Sequence, residues 1–396
     1  MSKPSTGLGD SHNFGRRVSL GAGRVHKPRT LLWEWLMLAS KSPLRQLLDE
    51  ASASAGLGPD AFGFLPTLEF FELDAVSGGH VERAQLEPLP LLDNEGKRAL
   101  ARIVGRSLAL WSWLGVADLH WENLILGVDR RGRTVFGPLD VELILADLAR
   151  PTETKLLPDA DPEYAEVCRH AAGVRRVLPH LGKPIAAADL VEMAGAYLST
   201  LSFLDRQATA IAEVFQALPD LRRAPIRICL RSTAEYVDAD ARSLWPPLLE
   251  AEIEQLARGD IPYFFRLYGR PGIHYFGNEA LSELRQLPTS GDVPQLDPIL
   301  RLSRGLRSPS RKRLRAEGLF TLLGAFDHPS LSGKHQNQEL EIAFRGRTLV
   351  VRLADGEELE SRRDLRAFVG SVYLPCQCGE VRSVFVPEVT RCAAGS

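Results

Sequence analysis

Four polar side chains have the order and spacing that phosphoryl transfer from ATP requires. Asp118 and Asn123 lie five positions apart on one polar segment, and Asp140 follows further along. The reaction needs a carboxylate at the acceptor hydroxyl, oxygen ligands for magnesium and a cation on the phosphates. Asp118 suits the first role, and Asn123 with Asp140 suits the second. Lys27, which lies upstream, supplies the cation, so the set predicts a phosphotransferase that uses ATP and Mg²⁺.

The segments that precede Asp118 have patterns of regular structure. Residues 15–29 alternate around a glycine turn, which predicts a hairpin with Lys27 near the end of its second strand. Apolar residues over 31–48 predict a helix interrupted near Pro43. Helical spacing of apolar residues over 95–115 predicts a buried helix that leads directly into the Asp118 segment.

The segments that follow predict how Asp140 is positioned. Two apolar runs, 124–128 and 134–139, are joined by a polar turn, which predicts a hairpin whose second strand ends at Asp140. Beyond it we expect mainly helices over 161–217. Further predicted elements are a strand at 226–230, a helix at 248–258, and strands at 340–344 and 348–353.

Composition excludes several classes of protein. The 396 residues are 44% hydrophobic and 25% charged, as in ordinary globular enzymes, and the net charge of −2 gives no support for nucleic-acid binding. The basic run 311–315 is interpreted as the polar face of a helix. No segment approaches the ~20 apolar residues of a membrane span, and no signal peptide is evident, so we expect a cytoplasmic protein. Cys376 and Cys378 lack the second pair of ligands that a zinc site needs.

Together these patterns predict an α+β fold with two lobes. We expect residues 1–90 to form an N-lobe on the nucleotide phosphate side, and residues 91–328 to form a mostly helical C-lobe that carries the catalytic loop. Residues 329–396 are richer in strand patterns and are expected to form a C-terminal appendage.

Four separated blocks of the chain resemble the dehydratase half of class II lanthipeptide synthetases, whose catalytic lobes are similar to lipid kinases. The resemblance extends from about residue 9 to residue 327. The blocks are Gly9-Asp10-Ser11-His12-Asn13-Phe14-Gly15 with His26-Lys27-Pro28-Arg29; Asp118 to Asn123 with Pro138-Leu139-Asp140-Val141-Glu142; Arg227-Ile228-Cys229-Leu230-Arg231-Ser232-Thr233 with Tyr236; and Glu250 to Tyr263, especially Gly259-Asp260-Ile261-Pro262-Tyr263.

The resemblance implies a reaction in two steps on a ribosomally made precursor peptide. ATP and magnesium first phosphorylate Ser or Thr, and loss of phosphate then leaves dehydroalanine or dehydrobutyrine. By similarity, His120 joins Asp118, Asn123 and Asp140 in binding metal and activating the hydroxyl, and Lys27 binds the nucleotide phosphates.

A second set of residues corresponds, by the same resemblance, to the elimination step. Arg227 and Thr233 match the pair associated with phosphate loss, alongside Asp10 and His12. Expelling phosphate needs a cation and a donor that stabilise the departing charge, and a base that removes the α-proton. Glu142 is expected to hold Lys27 or metal, or to serve as a structural salt-bridge partner.

The chain departs from that family at both ends. The synthetases have additional sequence before the first block and a C-terminal cyclase domain that holds zinc. We therefore expect a stand-alone dehydratase that forms no thioether rings and works with a separate cyclase or an activating subunit.

Two other functions are compatible with part of the pattern. A small-molecule phosphotransferase of the aminoglycoside-kinase-like type would use the Asp118 to Asn123 loop and Asp140, but would leave Arg227 and Thr233 unexplained. A catalytically weak pseudo-enzyme that binds a peptide or another biosynthetic subunit is a different class, and the short sequence before the first block favours it. Polar residues after an apolar helix are also common as cap and turn formers, which is the structural alternative for Asp118, His120 and Asn123.

Overall fold

The computed structural model describes a mixed α+β protein with several separate sheets. The basic run 311–315, Cys376 and Cys378 lie outside the described residues, as does the first part of the predicted helical region, 161–171. The described residues are 8–58, 60–146, 151–157, 172–182, 185–231, 233–238, 248–288, 322, 333–334, 340–345, 348–353, 358–361 and 389–392.

An antiparallel five-stranded sheet forms the N-terminal part. Its strands are β1 (Leu8–His12), β2 (Arg16–Leu20), β3 (Arg24–Lys27), β4 (Phe70–Asp74) and β5 (Gly78–Glu82). They are ordered β1-β2-β3-β5-β4, so β1 is an edge strand that the sequence did not predict. The predicted hairpin is confirmed as β2 and β3. The predicted break near Pro43 is also confirmed, because helices α1 (Leu32–Leu38) and α2 (Pro43–Ser54) flank it.

The predicted buried helix and second hairpin are confirmed. Helix α3 (Asn94–Leu114) ends at Gly115, which has the left-handed φ of 65°. A Cβ at Gly115 would lie 2.1 Å from the carbonyl oxygen of Ala146, so only glycine lets the chain turn there into the Asp118–Asn123 loop. The loop closes in a 3-10 turn (Trp121–Asn123) and continues into strands β6 (Leu124–Val128) and β7 (Thr134–Pro138).

Helices pack behind that loop. Helix α3 closely approaches the segment of Met193 at Gly105, where a Cβ would lie 2.1 Å from the Met193 carbonyl oxygen. This side of the molecule contains the helices α4 (Leu178–Leu181), α5 (Ala187–Arg206) and α6 (Ala208–Ala217), and the 3-10 turns Pro151–Thr154, Gly173–Arg176 and Pro219–Arg222.

A second antiparallel sheet follows, ordered β11-β10-β9-β8 from its far edge. The predicted strand and helix in this region are confirmed with slightly shorter bounds. The elements are β8 (Pro225–Ile228), α7 (Thr233–Asp238), α8 (Glu250–Ala257), β9 (Phe264–Leu267), β10 (His274–Phe276) and β11 (Leu284–Gln286).

The C-terminal segment contributes a sheet of its own, and the two strands predicted there are confirmed as its second and third. Its antiparallel strands are β12 (Gly333–Lys334), β13 (Leu340–Arg345), β14 (Thr348–Leu353), β15 (Glu358–Ser361) and β16 (Val389–Cys392).

One large apolar core supports the site. It includes Trp33 from α1, Val104 and Trp111 from α3, and Tyr197 from α5, all of them fully buried. Side chains of the first 90 residues therefore share a core with the helices that follow. None of the helices in the described ranges is both long enough and apolar enough to cross a bilayer.

Candidate active site

Lys27 occupies a buried position at the end of β3, with 8% of its surface exposed. Its Nζ lies 3.0 Å from both carboxylate oxygens of Glu34 on α1 and donates to the carbonyl oxygen of Leu139 at 2.7 Å. Asp140 Oδ2 is 4.0 Å away. The lysine therefore lies beside the predicted metal ligand, and a glutamate on the following helix holds it there.

Arg29 connects three carboxylates at the same place. Its Nη2 lies 2.7 Å from Glu34 Oε1 and 2.5 Å from Asp140 Oδ1. Its Nε lies 3.1 Å from Glu142 Oε2, as an ion pair without hydrogen-bond geometry. Burial alone would raise the pKa of Asp140, but the charges of Arg29 and Lys27 outweigh it and hold that pKa well below its usual range. Asp140 is therefore ionised.

Asp118 takes a strained conformation on the loop that ends at Asn123, with φ at 64°. Asn123 Nδ2 donates to the Asp118 carbonyl oxygen at 2.9 Å and to Oδ2 at 3.3 Å. Lys155 Nζ binds Oδ1 at 2.9 Å. These contacts fix a carboxylate that is still 36% exposed and therefore open to a substrate hydroxyl.

Asn123 and Asp140 have the donor atoms that magnesium prefers. The Asn123 nitrogen is used on Asp118, which leaves its amide oxygen for a metal, and Asp140 adds an ionised carboxylate. A backbone bond from Leu139 N to Asn123 O, 2.9 Å long, ties the two segments together. Within the described ranges no three His, Cys, Asp or Glu side chains form a metal cluster. Such a set fits Mg²⁺ held by one or two protein ligands together with substrate phosphates.

His120 lies at the start of the 3-10 turn, and its Nδ1 accepts from the backbone N–H of Glu122 at 3.4 Å. The carboxylate of Glu122 lies 3.9 Å from the same ring nitrogen. Its side chain is thus placed by its own turn, and among the described residues it has no hydrogen bond to Asp118 or Asp140.

His12 and Arg227 lie together on the other side of Glu142. The His12 Nδ1 is 2.8 Å from the carbonyl oxygen of Ile261, so Nδ1 carries the proton and Nε2 has the free lone pair. Burial, and then the charge of Arg227, lower the pKa of His12 and keep the ring neutral. The guanidinium of Arg227 lies 5.6 Å from the centre of the Tyr263 ring.

Glu142 joins the two groups of predicted residues. It pairs with Arg29 on one side and hydrogen-bonds Arg227 on the other, so it does not hold Lys27. The half-buried thiol of Cys229 is close enough to both groups to feel their charges. Burial raises its pKa, and the charges of Arg227, Asp118 and Glu142 all act on it. Asp118 of the Asp118–Asn123 loop and Arg227 of β8 therefore both lie near Cys229.

Asp10 and Thr233 also meet, because the Thr233 hydroxyl donates to Asp10 Oδ2 at 3.3 Å. The strand that carries Asp10 is fixed by the buried carboxylate of Asp260. That carboxylate accepts from the Ser11 hydroxyl at 2.8 Å, from Phe14 N at 2.6 Å and from Gly15 N at 2.8 Å. Thr233 of α7 thus contacts strand β1, which carries both Asp10 and His12.

Five residues of the site had no assigned role in the sequence: Glu34, Arg29, Lys155, Asp260 and Tyr263. Glu34 had a detectable signal, since it is a carboxylate within the otherwise apolar run that forms α1. The others depend on contacts between distant segments, which periodicity does not reveal.

Comparison with known proteins gives no relative: no protein-family model matches the chain, and no curated protein matches it.

Proposed function

We propose that this chain is a lanthipeptide-type dehydratase, which phosphorylates Ser and Thr of a precursor peptide with ATP and then eliminates the phosphate. The observation that carries the proposal is the position of Glu142 between Arg29 and Arg227. It brings residues suited to phosphoryl transfer into contact with residues suited to elimination. A kinase that only transfers phosphate would not need the second group.

In the first step, the substrate hydroxyl attacks the γ-phosphorus of ATP and ADP leaves. Asp118 orients the hydroxyl and accepts its proton, because Lys155 and Asn123 hold its carboxylate toward the solvent side of the loop. Lys27 stabilises the phosphate charge. Asn123 and Asp140 would hold magnesium, which neutralises charge on the transferred group when bound.

In the second step, a base removes the α-proton, the C–O bond breaks and the phosphate leaves with the electron pair. Neutral His12 suits the base, since its Nε2 carries the lone pair. Arg227 is suited to be the cation that receives the phosphate. Thr233, which lies beside Asp10, is suited to be a hydroxyl donor. The Arg227 Nε and the Tyr263 hydroxyl are buried and have no hydrogen-bond partner in the described part of the chain, so they have unused capacity to bind an anion.

A two-lobed, lipid-kinase-like organisation of the fold is part of the same proposal. A lysine at the end of a sheet strand paired with a glutamate on the following helix is the arrangement that kinases use to position the nucleotide phosphates. The Lys27–Glu34 pair has this form, which supports a two-lobed, lipid-kinase-like organisation. We further propose that a separate cyclase or activating subunit acts with the chain.

Mass spectrometry of a Ser- and Thr-rich precursor peptide from the same gene neighbourhood tests the proposal. The protein is incubated with the peptide, ATP and Mg²⁺. Loss of water from the peptide is the expected result. Added phosphate with no loss of water would indicate a kinase that does not carry out elimination. An unchanged peptide mass would favour a protein that only binds the peptide.

A further inference from the structure

An exposed tryptophan lies within the catalytic loop. Trp121 keeps 37% of its surface exposed, although it follows Asp118 by only three positions. The guanidinium carbons of Arg175 and Arg176 lie 5.9 and 5.2 Å from the centre of its ring, and Arg176 Nε donates to the Trp121 carbonyl oxygen at 2.7 Å. We name these three residues the Trp–Arg surface.

The Trp–Arg surface has a fixed position relative to the reacting hydroxyl. The turn that carries both arginines is joined to the earlier segment of Lys155 by a hydrogen bond from Gly173 N to Lys155 O at 3.0 Å. A Cβ at Gly173 would lie 2.4 Å from the carbonyl oxygen of Leu119, so the turn is packed directly against the catalytic loop. The side chain of Lys155 in turn binds Asp118.

A peptide residue near the modified Ser or Thr can reach this surface. Trp121 is three positions after Asp118, which limits the distance between their Cα atoms to about 10 Å. An extended peptide advances about 3.3 Å per residue. A hydroxyl bound at Asp118 therefore places residues two or three positions away within reach of the arginines.

Two guanidinium groups beside an indole ring favour a carboxylate. Guanidinium groups are permanently charged and bind carboxylates in a planar, bidentate manner. The opposing charge on the catalytic-loop turn is Glu122, whose carboxylate is 3.9 Å from the ring of His120. We infer that the Trp–Arg surface binds an acidic side chain of the peptide, two or three positions from the residue that is modified. This inference rests on the proposed function and names a feature of its substrate.

Synthetic peptides with one serine test the inference. They differ only at the positions two and three residues to either side of the serine, which carry Glu, Gln or Lys. Binding is measured by fluorescence anisotropy, and kcat/KM is measured separately. We expect the Glu peptide to bind about fivefold more tightly than the Gln peptide, the upper range for exposed ion pairs, with the Lys peptide weakest. The difference shrinks at high salt.

Variants locate the effect. In the double variant Arg175→Gln and Arg176→Gln, the ratio of the affinity for the Glu peptide to the affinity for the Gln peptide should fall to about one. This ratio is the readout even where both affinities change. Arg131→Gln is the matched control, since Arg131 is an exposed arginine in the turn of the β6–β7 hairpin, at the opposite end from Asn123 and Asp140. It should keep the full ratio.

Equal affinity of the wild-type protein for the Glu and Gln peptides would overturn the inference. So would a preference for Glu that persists in the double variant. If no peptide is modified but binding still depends on the arginines in this way, the proposed function fails and the inference on binding is supported. The two claims are therefore tested separately.

Discussion

Replacing Asp260 with alanine should uncouple the two steps of the reaction. The buried carboxylate is the acceptor for Ser11 Oγ, Phe14 N and Gly15 N, and these bonds hold the edge strand that carries Asp10 and His12. Strand β1 pairs with β2 on one side only, so its position near the site depends on this contact together with its bonds to Ile261 and Thr233. The residues of phosphoryl transfer make no contact with Asp260 in the described part of the structure.

The size of the effect follows from the bonds that are lost. Hydrogen bonds to a charged acceptor contribute about 1.5–3 kcal/mol each, and water replaces part of them once the strand moves away. We therefore take about 3 kcal/mol as the net loss in docking free energy. At about 1.4 kcal/mol per tenfold change, the docked population and the elimination rate fall by up to about a hundredfold.

The assay separates the steps. Elimination is followed from a chemically phosphorylated peptide, and phosphorylation from ADP release with an unphosphorylated one. Asp260→Ala should slow elimination strongly and phosphorylation by less than about threefold. Asp260→Asn keeps one acceptor oxygen, so its elimination rate should lie between those of the wild type and Asp260→Ala. Asp189→Ala removes a buried aspartate from α5 and serves as control, because it should leave the ratio of the two rates unchanged. If folded Asp260→Ala protein eliminates phosphate at the normal rate, the role assigned to β1 is wrong.

Three further predictions concern the charges of the site. Elimination from a phosphopeptide should decrease on acidification with a midpoint below pH 6.5, because burial and Arg227 lower the pKa of His12 and the base must be neutral; a midpoint above 6.5 would contradict this. Asp140→Asn should abolish ADP release while elimination from a phosphopeptide continues, and persistent ADP release would exclude Asp140 as a metal ligand. Glu34→Gln should leave Lys27 buried without its carboxylate and lower the free energy of unfolding by about 3 kcal/mol, measured by denaturant titration. An unchanged unfolding free energy would show that the pair does not stabilise the fold.

The parts of the site that local sequence determines were predictable. Asp118, Asn123 and Asp140 lie on a helix-to-loop junction and a hairpin, whose apolar periodicity is clear. Periodicity could not reveal Asp260, because it acts on residues 245 to 249 positions away. Arg29 reaches Asp140 across 111 positions, and that contact likewise depends on the packing of the whole chain.

Elements with a strong apolar pattern were predicted, whereas an element with a weak pattern was missed. Strand β1 was not predicted, because its sequence Leu-Gly-Asp-Ser-His has little apolar alternation. Its pairing with β2 and the carboxylate of Asp260 stabilise it instead. The strand that carries two proposed elimination residues is therefore defined by tertiary contacts.

The central claim is that one site performs both steps with different residues, and a crossed pair of variants tests it most directly. Asp118→Asn and Arg227→Ala are each given an unphosphorylated peptide with ATP and Mg²⁺, and a chemically phosphorylated peptide with ADP and Mg²⁺. Products are identified by mass. We predict that Asp118→Asn leaves the first peptide unchanged but dehydrates the second. Arg227→Ala should phosphorylate the first peptide and leave phosphate on both. Normal dehydration of the phosphorylated peptide by Arg227→Ala would contradict the account.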